Sequence, residues 1–187
     1  MKSARLHTTK LLACLSVMVL GYGLIATPAA LGRSAGIALG QGEVSVPVPG
    51  SMPFGIGAPP PFRTFVFIAQ DNRGRTDSGV AVLGGIYGVK GTWLIVKIDC
   101  VRTYAERYYD RDTFGAMMTG RIIRATSHSL VGRLAVFGAI DGDRIDSTGP
   151  DYVNADFAPD LPQTLSCENV GMGLIPLRRG EVTVRLP

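Results

Sequence analysis

Thr92-Trp93-Leu94-Ile95-Val96-Lys97-Ile98-Asp99-Cys100 is the stretch on which the fold turns. Thr92, Leu94, Val96 and Ile98 fall on one face of an extended chain while Lys97 and Asp99 fall on the other, a period of two that marks a half-buried strand. Trp93 reads as core or half-core from its neighbours. Val182, Val184 and Leu186 repeat the pattern against Thr183 and Arg185. Residues 62–70, 79–88, 116–125 and 132–140 are apolar on both faces, partly β-branched and bounded by Gly, Asp or Asn, so they read as more central strands. Asp71-Asn72-Arg73-Gly74 and Lys90-Gly91 carry turn chemistry. No stretch beyond the first thirty residues carries a helical stripe, although residues 102–112 have room for one or two exposed helical turns. Six or seven strands in residues 61–187, with no crossover helices, predict an all-β fold: an antiparallel β-sandwich, or alternatively a small closed barrel.

Upstream the composition changes. Residues 31–60 hold seven Gly and five Pro, with Arg33 and Glu43 the only charged groups. A segment so poor in buriable surface reads as a flexible, disordered linker. Within it Val44, Val46 and Val48 alternate and can dock as an edge strand, to which the neighbouring prolines confine them. Residues 1–30 read as a signal peptide: Lys2, Arg5 and Lys10, then an apolar run, then Thr27-Pro28-Ala29-Ala30 with the small residues that suit signal peptidase. The alternative is an uncleaved anchor, the only contact with a membrane that the sequence implies.

Removal of the leader takes Cys14 and leaves Cys100 and Cys167, an even pair in an exported chain, for which a disulfide is the expectation. Such a bond stabilises a domain by about 4 kcal/mol in the chain-entropy model. Two Cys and one His are too few for a standard structural zinc site. The leader also removes three of the nineteen basic residues, so residues 31–187 carry sixteen Arg or Lys against fifteen Asp or Glu, interspersed. Nucleic acid is therefore not an expected partner.

A strand ending in Cys100, the Ala116-x-x-x-Gly120-x-Ile122 strand, the Asp141-Gly142 turn leading to Pro150-Asp151, the second cysteine and the closing Arg179-Gly180-Glu181-Val182-Thr183-Val184 resemble small exported all-β proteins of GC-rich bacteria, over residues 62–186. That resemblance implies export and an all-β fold, and it brings no established function. The chain departs from the pattern in a longer, charged link, residues 102–112, between Cys100 and Ala116.

Three constellations carry chemistry. Asp141-Gly142-Asp143-Arg144-Ile145-Asp146, with Asp151 following, offers alternating carboxylates of the kind calcium requires, so Asp141, Asp143, Asp146 and Asp151 are the metal candidates. The spacing is not that of an EF-hand, and Arg144 competes for the carboxylates; the alternative is a solvated loop with Asp141 in an Asx-turn. No other cofactor is implied. His128, between Ser127 and Ser129, is the only histidine beyond the leader and a catalytic candidate, but the chain lacks a G-x-S-x-G elbow. Tyr104, Tyr108, Tyr109 and Phe114 cluster in the charged link and are the candidate ligand-binding residues, because aromatic rings offer contact area with few rotors. The alternative is that these rings cover the edge of the sheet. Together these readings point to an exported, disulfide-stabilised domain acting as a binding or structural module, with a partner at the cell envelope or outside the cell. The alternative is a small extracellular hydrolase using His128 or a carboxylate pair.

Overall fold

A computed structural model describes residues 35–44, 62–73, 76–108, 111–142, 150–157, 161–170 and 173–187, the side chains of 106–108 and 111–112 excepted. The leader, residues 45–60 of the linker, Tyr109, Asp143 and Asp146 lie outside that set. Eight strands follow in chain order: β1 Gly36–Val44, β2 Thr64–Asp71, β3 Ser78–Gly84, β4 Trp93–Tyr108, β5 Arg111–Ala125, β6 Leu134–Asp141, β7 Tyr152–Asp156 and β8 Ile175–Arg185. Each pairs antiparallel with the next, and β1 also pairs with β8 from Ile37↔Arg185 to Val44↔Leu177. The result is the closed barrel rather than the sandwich.

Closure depends on β1, and here the expectation of a linker over 31–60 needs correction for residues 36–44. Its glycines look like linker composition, yet in the barrel they make room for neighbours: Gly36 for the Thr103 side chain, Gly42 for the β8 backbone and Gly40 for aromatic rings. A Cβ on Gly40 would overlap the Phe67 ring, and Phe65 lies just beyond. Phe65 and Phe67 stack at 5.9 Å between centroids, and Phe62 meets Phe65 edge-on at 6.3 Å. Tertiary packing thus overrides a weak local preference. At the β1–β8 seam Gly180 adopts φ +118°, and a Cβ there would collide with the Gln41 carbonyl. Only glycine allows the two backbones to approach so closely.

The period-two readings hold: Leu94, Val96 and Ile98 point inward, as do Val182 and Val184. Phe137, Met118, Ala116, Ala139 and Ala155 fill the interior with them. A barrel of eight strands has room for side chains and little else. The helical turns allowed at residues 102–112 do not form. β4 and β5 instead continue as one long hairpin whose register runs to Tyr108↔Arg111. Trp93 is also corrected: it begins β4 on the outward parity and is 40% exposed.

A second apolar cluster lies on the outside. Met117, Leu134 and Val136 point away from the interior and are covered by residues 161–170, an irregular strap contributing Leu161, Leu165, Cys167 and Val170. The Cys100–Cys167 disulfide, with Cα atoms 5.6 Å apart, ties this strap to β4. Hydrogen bonds from Arg102 to the Glu168 carbonyl (3.1 Å) and from Arg121 to Gln163 Oε1 (2.7 Å) hold its flanks. β6 is buried on both faces for this reason.

Candidate interaction surface

In an antiparallel sheet only one face meets the interior, so outward residues should be polar unless something covers them. β5 and β6 satisfy that logic through the strap; β1, β2 and β3 do not. No charged residue occurs in 64–70 or 78–84. Register places Leu39, Ile68 and Val80 side by side on the outer face, with Val66, Val82 and Ile95 in the adjacent row. Leu39 is 39% exposed and Ile68 46%. Val66, Val80, Val82 and Ile95 are half-buried and belong to neither of the two apolar clusters of described residues. Ile37 borders the patch at one end of β1 and Trp93 at the start of β4. Thr183 flanks it across the β1–β8 seam, and Lys97 flanks it beyond Val80.

Strands about 4.8 Å apart, rising about 3.3 Å per residue, make this face roughly 300–400 Å² in outline. That is within the range of the largest apolar patch on a typical monomer, which is often functional. Edge pairing is closed to a barrel, so any sheet-mediated contact must be face to face. Elsewhere, a hollow beside β1 and β2 is lined by Glu43, Val44, Arg63, Thr64 and Arg178.

The two aromatic candidates whose side chains are described, Tyr104 and Phe114, are not brought together. Tyr104 lies on the outer cluster beside Cys100, its ring close over Gly115, with the Arg102 guanidinium 5.7 Å from the ring centroid. Phe114 packs against the interior cluster, on the other side of the sheet. The side chain of Tyr108 and all of Tyr109 fall outside the described residues. Tyr104 thus packs on the outer face of the sheet, over Gly115 of β5.

Of the metal candidates, Asp141 and Asp151 are 2% and 8% exposed and serve the seam between β7 and β8. These strands pair at only Tyr152↔Pro176 and Val153↔Ile175. Beyond that point β8 keeps β1 on one side but has no strand on the other, and there its amides turn to carboxylates. Val182 N–H donates to Asp151 Oδ2 (2.6 Å) and Val184 N–H to Asp141 Oδ2 (2.9 Å), while Asp151 Oδ1 accepts from Gly142 (2.9 Å). The same device recurs where β4 outruns β3. Val101 N–H donates to Asp77 Oδ2 (2.8 Å), and the Thr103 amide and hydroxyl donate to Asp71 Oδ2 (2.9 and 2.8 Å). In both places two alternate amides of a strand that has lost its neighbour bond to two carboxylates. Charge-assisted bonds of this kind are the stronger class.

His128 lies exposed in a 3₁₀ turn, His128–Leu130. Its flanking hydroxyls, Ser127 Oγ and Ser129 Oγ, hydrogen-bond each other at 2.9 Å. Among the described residues no carboxylate bonds to its ring, so the base–orienter pair of a serine hydrolase is not assembled there. Cys100 and Cys167 pair as expected and supply no free thiol.

Sequence reasoning missed the outer apolar face and the Asp71–Asp77 pair. The first left a signal, since β2 and β3 were recognisably apolar on both parities; the inference that both faces are covered was the error. Among the described residues no helix is long and apolar enough to cross a membrane. Comparison of the chain with protein-family models, with curated proteins and with solved structures gives no match in any of the three.

Proposed function

We propose that this protein is an extracytoplasmic binding module that docks a protein partner on the outer face of β1–β4. The observation that carries this reading is the uncharged patch around Leu39, Ile68 and Val80, on a barrel whose comparable outer face is sheathed by its own strap. A buried disulfide belongs to a non-reducing compartment, which agrees with the signal-peptide reading of residues 1–30. The interior is filled by side chains, so recognition must take place outside. The basic side chains only border the face, with Arg185 beside Ile37, Lys97 beside Val80 and Arg124 beside Ile95, and its outline places the contact among the small, transient protein interfaces.

Native mass spectrometry of the protein recovered from its own host tests this. The expected spectrum shows the oxidised chain in complex with a second polypeptide, and Ile68→Asp returns the bare chain with an unchanged melting temperature. A wild-type chain that flies alone, or a variant that keeps its partner, contradicts the proposal.

A further inference from the structure

The disulfide has a third group beside it. Asp77, half-buried in the turn before β3, brings a carboxylate oxygen to the two sulfurs, and the three ligand-type atoms lie within 4.8 Å of one another. We propose that Cys100, Cys167 and Asp77 are a latent metal site: when the disulfide is reduced, the two thiolates and the carboxylate hold a zinc-class divalent cation, so the strap keeps a staple in either redox state.

The chemistry balances simply. A dithiol reductant gives two electrons and two protons to the disulfide and is itself oxidised to a disulfide; the two resulting thiols then lose their protons as they ligate the cation. Around a tetrahedral zinc, with Zn–S about 2.3 Å and Zn–O about 2.0–2.2 Å, ligand atoms sit roughly 3.5–4 Å apart. The present cluster reaches that spacing with small shifts as the sulfurs part. Two thiolates select a zinc-class ion over calcium or magnesium. Asp77 is also oriented in advance. Its Oδ1 accepts from Asn72 N–H (2.8 Å) and its Oδ2 from Val101 N–H (2.8 Å), one bond per oxygen, which leaves lone pairs for a metal. Such outer contacts fix a ligand's geometry. The sequence alone argued against zinc because only Cys and His were counted; the third donor is an aspartate that the fold carries 23 residues upstream of Cys100 to its side. Three protein ligands leave the fourth position to water.

Cobalt(II) is the probe, since its thiolate charge-transfer and tetrahedral ligand-field bands report sulfur coordination directly. The full chain carrying Cys14→Ser is reduced with a phosphine, titrated with cobalt and then with zinc, and followed by absorption and by far-ultraviolet circular dichroism. The expected result is one cobalt per chain with both band sets, displaced by zinc and absent from the oxidised protein. Cys167→Ser should abolish the bands, and Asp77→Asn, which keeps one acceptor oxygen for the turn, should weaken binding at least about tenfold. Absence of bands in the reduced, folded chain overturns the proposal. So does an Asp77→Asn variant with undiminished affinity, or loss of the β-sheet signal on reduction before any metal is added.

Discussion

Asp151 shows how much one side chain can carry in this barrel. Its two oxygens take the amides of Gly142 and Val182 in a site where water has little access. Replacing it with Ala strands two buried donors, and each such donor costs about 1–3 kcal/mol. Asp151→Ala should therefore lose about 2–5 kcal/mol, read as a lower denaturant midpoint, whereas Glu168→Ala on the strap surface should change it little. Gly180→Ala should be comparably damaging, because it forces a side chain both into φ +118° and against the Gln41 carbonyl. A midpoint unmoved by either substitution would mean the β1–β8–β7 seam is not built as described. At this scale the sequence was legible where chemistry is pairwise and local, as with the two cysteines. It was illegible where a residue's role depends on which strand has run out of neighbours. The spacing of Asp141 and Asp151 points to a cluster of carboxylates; that both also accept from strand amides is not visible in it. Nothing in the spacing of Asp71 and Asp77 foretold that they would serve β4 in the same way.

At the scale of elements, the strap is the part whose stability rests least on regular hydrogen bonding. Residues 161–170 contribute Leu161, Leu165 and Val170 to the outer cluster and are fastened by the disulfide. A bond joining residues 67 apart contributes about 4 kcal/mol in the chain-entropy model. Reduction in the presence of a chelator should therefore open this segment while the strands stay closed. Hydrogen exchange and protease cuts should rise first within residues 161–170, with the β4–β6 amides still protected. Simultaneous exposure of strap and strands would show that the strap is integral to the barrel rather than laid over it. The element boundaries recovered from sequence were those with one polar and one apolar face, Thr92 to Ile98 and Val182 to Leu186. β1 was lost to its glycines, and the β4–β5 hairpin was mistaken for helical turns because residues 102–112 alternate too weakly to show a period of two. Pairing with a long partner strand, not intrinsic preference, holds that segment extended.

For the whole molecule, the choice between sandwich and barrel rests on β1. Once residues 36–44 are assigned to a tether, the remaining seven strands have no member to bridge β2 and β8, and a sandwich is the natural arrangement. With β1 in place the sheet closes and its edges disappear. What remains available for recognition is outer surface, and the uncharged part of that surface is the patch around Leu39, Ile68 and Val80. A charge placed at its most exposed positions should be harmless to folding: Leu39→Lys and Ile68→Lys should each leave the melting temperature within about 2 °C, since changes away from packed or strained sites typically fall within about 0.5 kcal/mol. A larger loss would mean that the face is packed against something in the isolated chain.

Side-chain footprinting of the protein, once purified and once in its native extracytoplasmic setting, addresses the docking face most directly. Leu39, Ile68 and Trp93 should label readily in the purified barrel and be shielded in the native setting, while exposed residues elsewhere, such as Val131, label equally in both. Equal labelling of Leu39, Ile68 and Trp93 in the two settings would contradict the account.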